Sequence, residues 1–242
     1  MTLRSSIVGA LLIIALVVAS AGAFWGYRTF AAKSALKAVI ALTSNVTNQV
    51  SGELNRSVKT LAQQVSEKVS EGLRSGAITP EETRRHLSLQ EQIDKQLVEL
   101  ETHRASANRD LYEATLEYVT DGRHLLRRIH AHARLRGEVL VELSALDDLR
   151  RNAGTRAGNW ISEMVATKKK VDKAAFDYRN AVSALDTSLG AIKTARVKLA
   201  VHVEPGLLVR EELIEEFRKH LTDSMIKLTS VIEGAGTLER RR

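Results

Sequence analysis

Five arginines, Arg123, Arg127, Arg128, Arg134 and Arg136, fall within fourteen residues that contain no acid and also carry His124, His130 and His132. Guanidinium groups gathered this way suit an anionic partner: phospholipid headgroups, an envelope polymer or, for a cytoplasmic protein, nucleic acid. The aromatic side chains that stack on single strands are missing from the segment, which argues against nucleic acid. The alternative is an internal role. Asp110, Glu113, Glu117 and Asp121 precede the arginines, and Glu211, Glu212, Glu215 and Glu216 on a later helix could face them.

Other chemistry is sparse. There is no Gly-rich phosphate loop, no nucleophile elbow and no His-Glu-x-x-His. A di-iron bundle needs Glu-x-x-His pairs, and no glutamate lies three residues before any of the seven histidines. His130 and His132 stand two apart, which on a helix points them about 200° apart rather than at one metal. The absence of cysteine removes a disulfide framework, a thiol nucleophile and a thiolate zinc site. No catalytic, cofactor-binding or metal-ligating residue is assigned, and the chain is read as non-enzymatic. The histidines are read as surface or core-edge positions.

The elements that would position these residues are helices. With 242 residues, 4% aromatic content and two prolines, the chain lacks the composition of a sheet-rich fold. Its net charge of +7 is unevenly spread. Arg4, Arg28, Lys33 and Lys37 come before the first acid, Glu53, and Arg240, Arg241 and Arg242 close the chain. The body between them is balanced, so the overall basicity does not describe a nucleic-acid binder.

Ser5 to Tyr27 contains no charged residue. As a helix this run is about 34 Å long, enough to cross a hydrocarbon core of about 30 Å. Phe24, Trp25 and Tyr27 gather at its far end, where amphipathic rings favour the headgroup layer. Residues 1–27 are therefore expected to be a single-pass anchor in the plasma or inner membrane, with a cleaved signal peptide as the alternative. Flanking charges nearly balance, while the order of basic residue, apolar run and small residues favours an extracytoplasmic body. Gly22 and Gly26 form a small-xxx-small pair that would let two such helices approach.

Residues 28–78 read as a helical stalk with apolar positions repeating every eleven residues (Val39, Val50, Leu61). Residues 79–233 read as a bundle of long helices. Thr79-Pro80-Glu81-Glu82 carries a capping box, with proline at the first helical position. The next stripe runs Ile93, Leu97, Leu100, Arg104, Ala107, Leu111 and on to Leu125, Ile129, His132, Arg136 and Val139. It allows either one helix from Pro80 to about Asn152 or a break at Asp121-Gly122. After a connection at 152–159 comes a heptad: Met164, Val171, Tyr178, Leu185, Ile192 and Leu199, beside Ala174, Ala181, Ser188 and Ala195. Glu204-Pro205-Gly206 should interrupt it, and a last helix should end at Gly234 and Gly236. Residues 234–242 read as a basic tail.

The expected architecture is all-α: a transmembrane helix followed by an elongated antiparallel bundle or coiled-coil hairpin. The expected role is a membrane-anchored scaffold or adaptor that associates through helix–helix contacts, with the bilayer and with copies of itself or another helical membrane or envelope protein as partners. A ligand-sensing bundle that signals through a partner is the second reading. A helical protein that inserts into membranes on assembly, as pore formers do, is the third.

Overall fold

A computed structural model describes the backbone of residues 3–66, 79–152 and 159–237, with side chains for 29–66, 79–152 and 159–234. It comprises α1 (Leu3–Ser66), α2 (Pro80–Thr102), α3 (Arg109–Arg151), α4 (Trp160–Leu199), a short 3-10 turn (Pro205–Leu207) and α5 (Glu211–Thr237). No strand occurs among the described residues, as the composition requires.

Side-chain pairs fix the topology. Going up α1, Thr47 meets Tyr118 of α3 and the Leu207 carbonyl, while Gln64 meets Lys227 of α5, so α1, α3 and α5 run in parallel. Gln49 meets Gln92 of α2 while Glu53, further up, meets Arg85, so α2 runs the other way. Glu117 meets Lys198 while His132 meets Tyr178, so α4 also descends. The result is an up-down five-helix bundle.

The heptad of α4 builds its centre. Val171, Tyr178, Leu185, Ile192 and Leu199 are all buried, with Met164 packed on the edge, and Ala174, Ala181 and Ala195 let neighbouring helices approach. These residues pack within the chain, chiefly against the buried face of α3. The eleven-residue stripe of α1 joins them: Val39, Val50 and Leu61 belong to the same apolar cluster as Ile93, Tyr118 and Phe217. The segment read as a stalk is thus one wall of the core from Ala35 upward, whereas Thr29, Phe30 and Ala32 to Ser34 are exposed below it.

Helix ends agree with the expected signals at some places and not others. At Thr79 the capping box is complete, with the Glu82 N–H donating to Thr79 Oγ1 at 3.1 Å and the Thr79 N–H donating to Glu82 Oε2 at 2.9 Å. Neither option for the long stripe is correct. The chain passes through Asp121-Gly122 as helix and turns instead at His103–Asn108. Asn108 makes that second start, its Oδ1 accepting from the N–H groups of Asp110 and Leu111. Gly122 is helical because α1 crosses there: a Cβ would lie 3.1 Å from Val46 Cγ1 and 3.3 Å from Val50 Cγ2. Glycine here serves close approach rather than a turn. Likewise α5 does not stop at Gly234 or Gly236 but continues to Thr237. Two glycines cost a helix about 1 kcal/mol each relative to alanine, which weakens it without ending it.

α4 already ends at Leu199, before Glu204-Pro205-Gly206, and Pro205 instead opens the short 3-10 turn, which a hydrogen-bonded buckle secures. Thr47 Oγ1 donates to the Leu207 carbonyl at 2.7 Å, which leaves it to accept from the Tyr118 hydroxyl at 2.8 Å. The same Tyr118 oxygen accepts from the Val209 N–H at 3.0 Å. One buried chain of bonds joins α1, α3 and the entry to α5.

Among the described residues no helix is long and apolar enough to cross a membrane. The run Ser5–Tyr27, with Gly22 and Gly26, lies in the backbone of α1 but outside the residues whose side chains are described. Residues 67–78 at the end of the expected stalk, the middle of the 152–159 connection and the Arg240–Arg242 tail also lie outside the described residues.

Candidate functional site: a polar cleft

The arginine segment does not form one surface. Arg123 turns towards α2, where its Nε lies 2.5 Å from Asp94 Oδ1 as an ion pair without hydrogen-bond alignment. Arg134 pairs with Glu138 on its own helix. Arg127 and Arg128 are exposed and have no ion pair among the described residues. Arg136 is buried. Several of the acids expected to face the segment are engaged elsewhere. Glu211 and Glu215 hold Lys193, Glu215 also holds Arg218, and Glu117 holds Lys198. Partial internal neutralisation does occur, but through Asp94 and Glu138.

Arg136 instead joins a cluster of polar groups inside the bundle. They line a cleft of about 130 Å³ between α1, α2, α3 and α5, whose walls include Glu53, Arg56, Ser57, Gln64, Arg85, His86, His132, Arg136 and Phe217. Each helix contributes for a local reason. On α1, Glu53 falls three residues after Val50 and beside Leu54, so it sits on the buried stripe. On α3, His132 and Arg136 occupy the stripe between Ile129 and Val139. The capping box fixes where α2 starts and so sets Arg85 and His86 opposite Glu53.

Glu53 is only 2% exposed. A carboxylate taken so far from water needs compensation. It receives Arg56 at 2.8 Å, Arg85 at 3.3 Å and the His86 ring nitrogen at 3.6 Å. His86 stacks on His130 with ring centroids 4.7 Å apart and planes within 10°. Burial holds the His86 imidazole below its ordinary range; Glu53 opposes that shift while His130 and Arg85 reinforce it. His130 is lowered too, by burial and then by Arg134. His132 is the extreme case, pushed down to about 3 by burial with the Arg136 charge adding to it. Its Nε2 lies 3.2 Å from the Tyr178 hydroxyl. Two neutral imidazoles, His86 and His132, and three guanidinium groups therefore line the cleft with two carboxylates, Glu53 and Glu82, giving it a net positive wall at neutral pH.

The cleft holds no nucleophile poised against a base. No group of three or more His, Asp or Glu among the described residues is disposed to hold a metal ion. Sequence reasoning placed His132 and Arg136 within an apolar stripe, and that placement was the available signal of their burial. Glu53, Arg85 and His86 gave no such signal, because their meeting depends on the register between α1 and α2.

Compared with known proteins, the chain matches no family model, no curated protein and no solved structure.

Proposed function

We propose that the protein is a membrane-anchored, non-enzymatic helical scaffold whose bundle is held next to the bilayer by α1. The observation that carries this reading is the continuity of α1 from Leu3 to Ser66. One helix of about 96 Å joins the uncharged run Ser5–Tyr27 to the buried stripe Val39–Leu61. Only Arg28 to Ser34 separates the run from Ala35, the first core residue, a rise of about 10 Å. On this reading the base of the bundle, formed by the His103–Asn108 turn, sits at the headgroup layer. The α4 seam is used up inside the chain, so a partner would meet outward positions such as the exposed Phe176 and Val197.

The body is assigned to the extracytoplasmic side. Because the chain has no cysteine, Ser106→Cys and Ser230→Cys can each be labelled in intact cells with a membrane-impermeant thiol reagent. Both positions are exposed, one near the base and one near the far end of α5. Labelling of both is expected. Protection of both, with labelling restored on lysis, would place the body in the cytoplasm.

The polar cleft supports the second reading, a ligand-sensing bundle, because a dry and fully packed core would leave no room for a ligand.

A further inference from the structure

The cleft is elongated. Its walls follow α1 from Glu53 to Gln64, about 16 Å by helical rise, and α3 from Ile129 to Arg136, about 10 Å. Since α1 and α3 run in parallel, Glu53 and the facing Arg85 lie at one end, with Gln64 and Arg136 at the other. Between them the walls are Leu61, Ile129 and Ala133, with the hydroxyls of Ser57 and Thr60 on one side. Cationic groups thus stand at both ends of a middle lined by Leu61, Ile129 and Ala133 on one part and by His132, Ser57 and Thr60 on another.

The lower end is not saturated. Arg85 donates to Glu53 through one terminal nitrogen, while its Nε is buried with no hydrogen-bond partner. A buried donor left unmet in this way is a cost that an incoming acceptor removes. Glu53 does not repel an incoming anion strongly, because Arg56 and Arg85 already neutralise it. Glu82 is turned to the cap at Thr79. A cavity near 130 Å³ is close to the size that accepts a benzene-sized guest.

We propose that this cleft binds a small aliphatic dicarboxylate of four or five carbons, one carboxylate at Arg85 and the other at Arg136, with its methylene chain against Leu61, Ile129 and Ala133. A dicarboxylate offers one planar oxyanion to each of the two guanidinium groups, the pairing that guanidinium favours. A ligand of this kind would join α1, α2 and α3 and so stiffen the bundle. It would give the sensing reading its ligand class, and it stands or falls separately from the membrane anchor.

The test uses the full chain in detergent at fixed ionic strength and pH 7.5, with titration calorimetry and thermal melting. Succinate is compared with butyrate, which has the same carbon count and one carboxylate, and with inorganic phosphate. Succinate is expected to bind at least tenfold more tightly than either and to raise the melting temperature. Arg85→Met and Arg136→Met should each reduce succinate affinity to that of butyrate. Ala133→Met, which fills the middle of the cleft and leaves both arginines in place, should abolish binding while melting stays cooperative. Equal weak effects of all three anions, tighter binding of phosphate, or succinate binding unchanged in Ala133→Met would overturn it.

Discussion

At the scale of single residues the bundle keeps neutral histidines where charge would be costly. His132 has an ordinary value near 6.5 when unfolded and about 3 in the folded chain. Between those limits the unfolded chain binds a proton that the folded chain refuses. The resulting stability is fully present above about pH 6.5 and is lost as pH falls towards 3, by at most about 1.4 kcal/mol for each pH unit. His86 and His130, both lowered by burial, act in the same direction. His132→Leu should therefore flatten the fall in unfolding free energy between pH 6 and pH 4 by close to one proton's worth of slope. Denaturant titrations at several pH values check this, and an unchanged slope would mean that His132 is not buried as described. The sequence shows which positions of α3 face inward, His132 and Arg136 among them. It does not show that Glu53, Arg85 and His86 converge, because that contact joins residues more than thirty apart across two helices.

At the scale of elements, periodicity was the most legible feature. Five of the six large heptad positions of α4 are buried, because a seven-residue apolar repeat has only one face to offer a neighbour. Replacing Leu185 and Ile192 with asparagine should cost several kcal/mol, since both side chains are fully buried and each large-to-small change in a core typically costs about 2–5 kcal/mol. Thermal melting followed by circular dichroism checks it, and an unchanged midpoint would sink the seam. Boundaries were less legible. The turn at His103–Asn108 contains no glycine or proline, and its sign is a single capping asparagine within a stripe that otherwise keeps helical phase. Gly122 misled in the opposite sense, since a glycine that permits helix crossing is indistinguishable by residue type from one that permits a turn.

At the scale of the whole molecule, the charge distribution and the helix continuity support one another. The basic excess lies at the two ends of a body whose charges balance, and the N-terminal share flanks the uncharged run of α1. That helix is both the proposed anchor and a wall of the core, so a tilt or displacement at the membrane would reach the polar cleft through a single rigid element. The all-α bundle was legible from composition and periodicity. Which side of a membrane an anchored body would occupy was not, because the flanking charges nearly cancel. The most direct measurement is alkaline carbonate extraction of membranes carrying the full chain or its Ile14→Arg, Val18→Arg variant. Two charges near the middle of a span cost about 2.5–3.5 kcal/mol each on insertion scales. The unaltered chain is expected to stay with the membrane pellet, and the variant to appear in the supernatant with its bundle helicity intact. Release of the unaltered chain by carbonate, or retention of the variant in the pellet, would contradict the account.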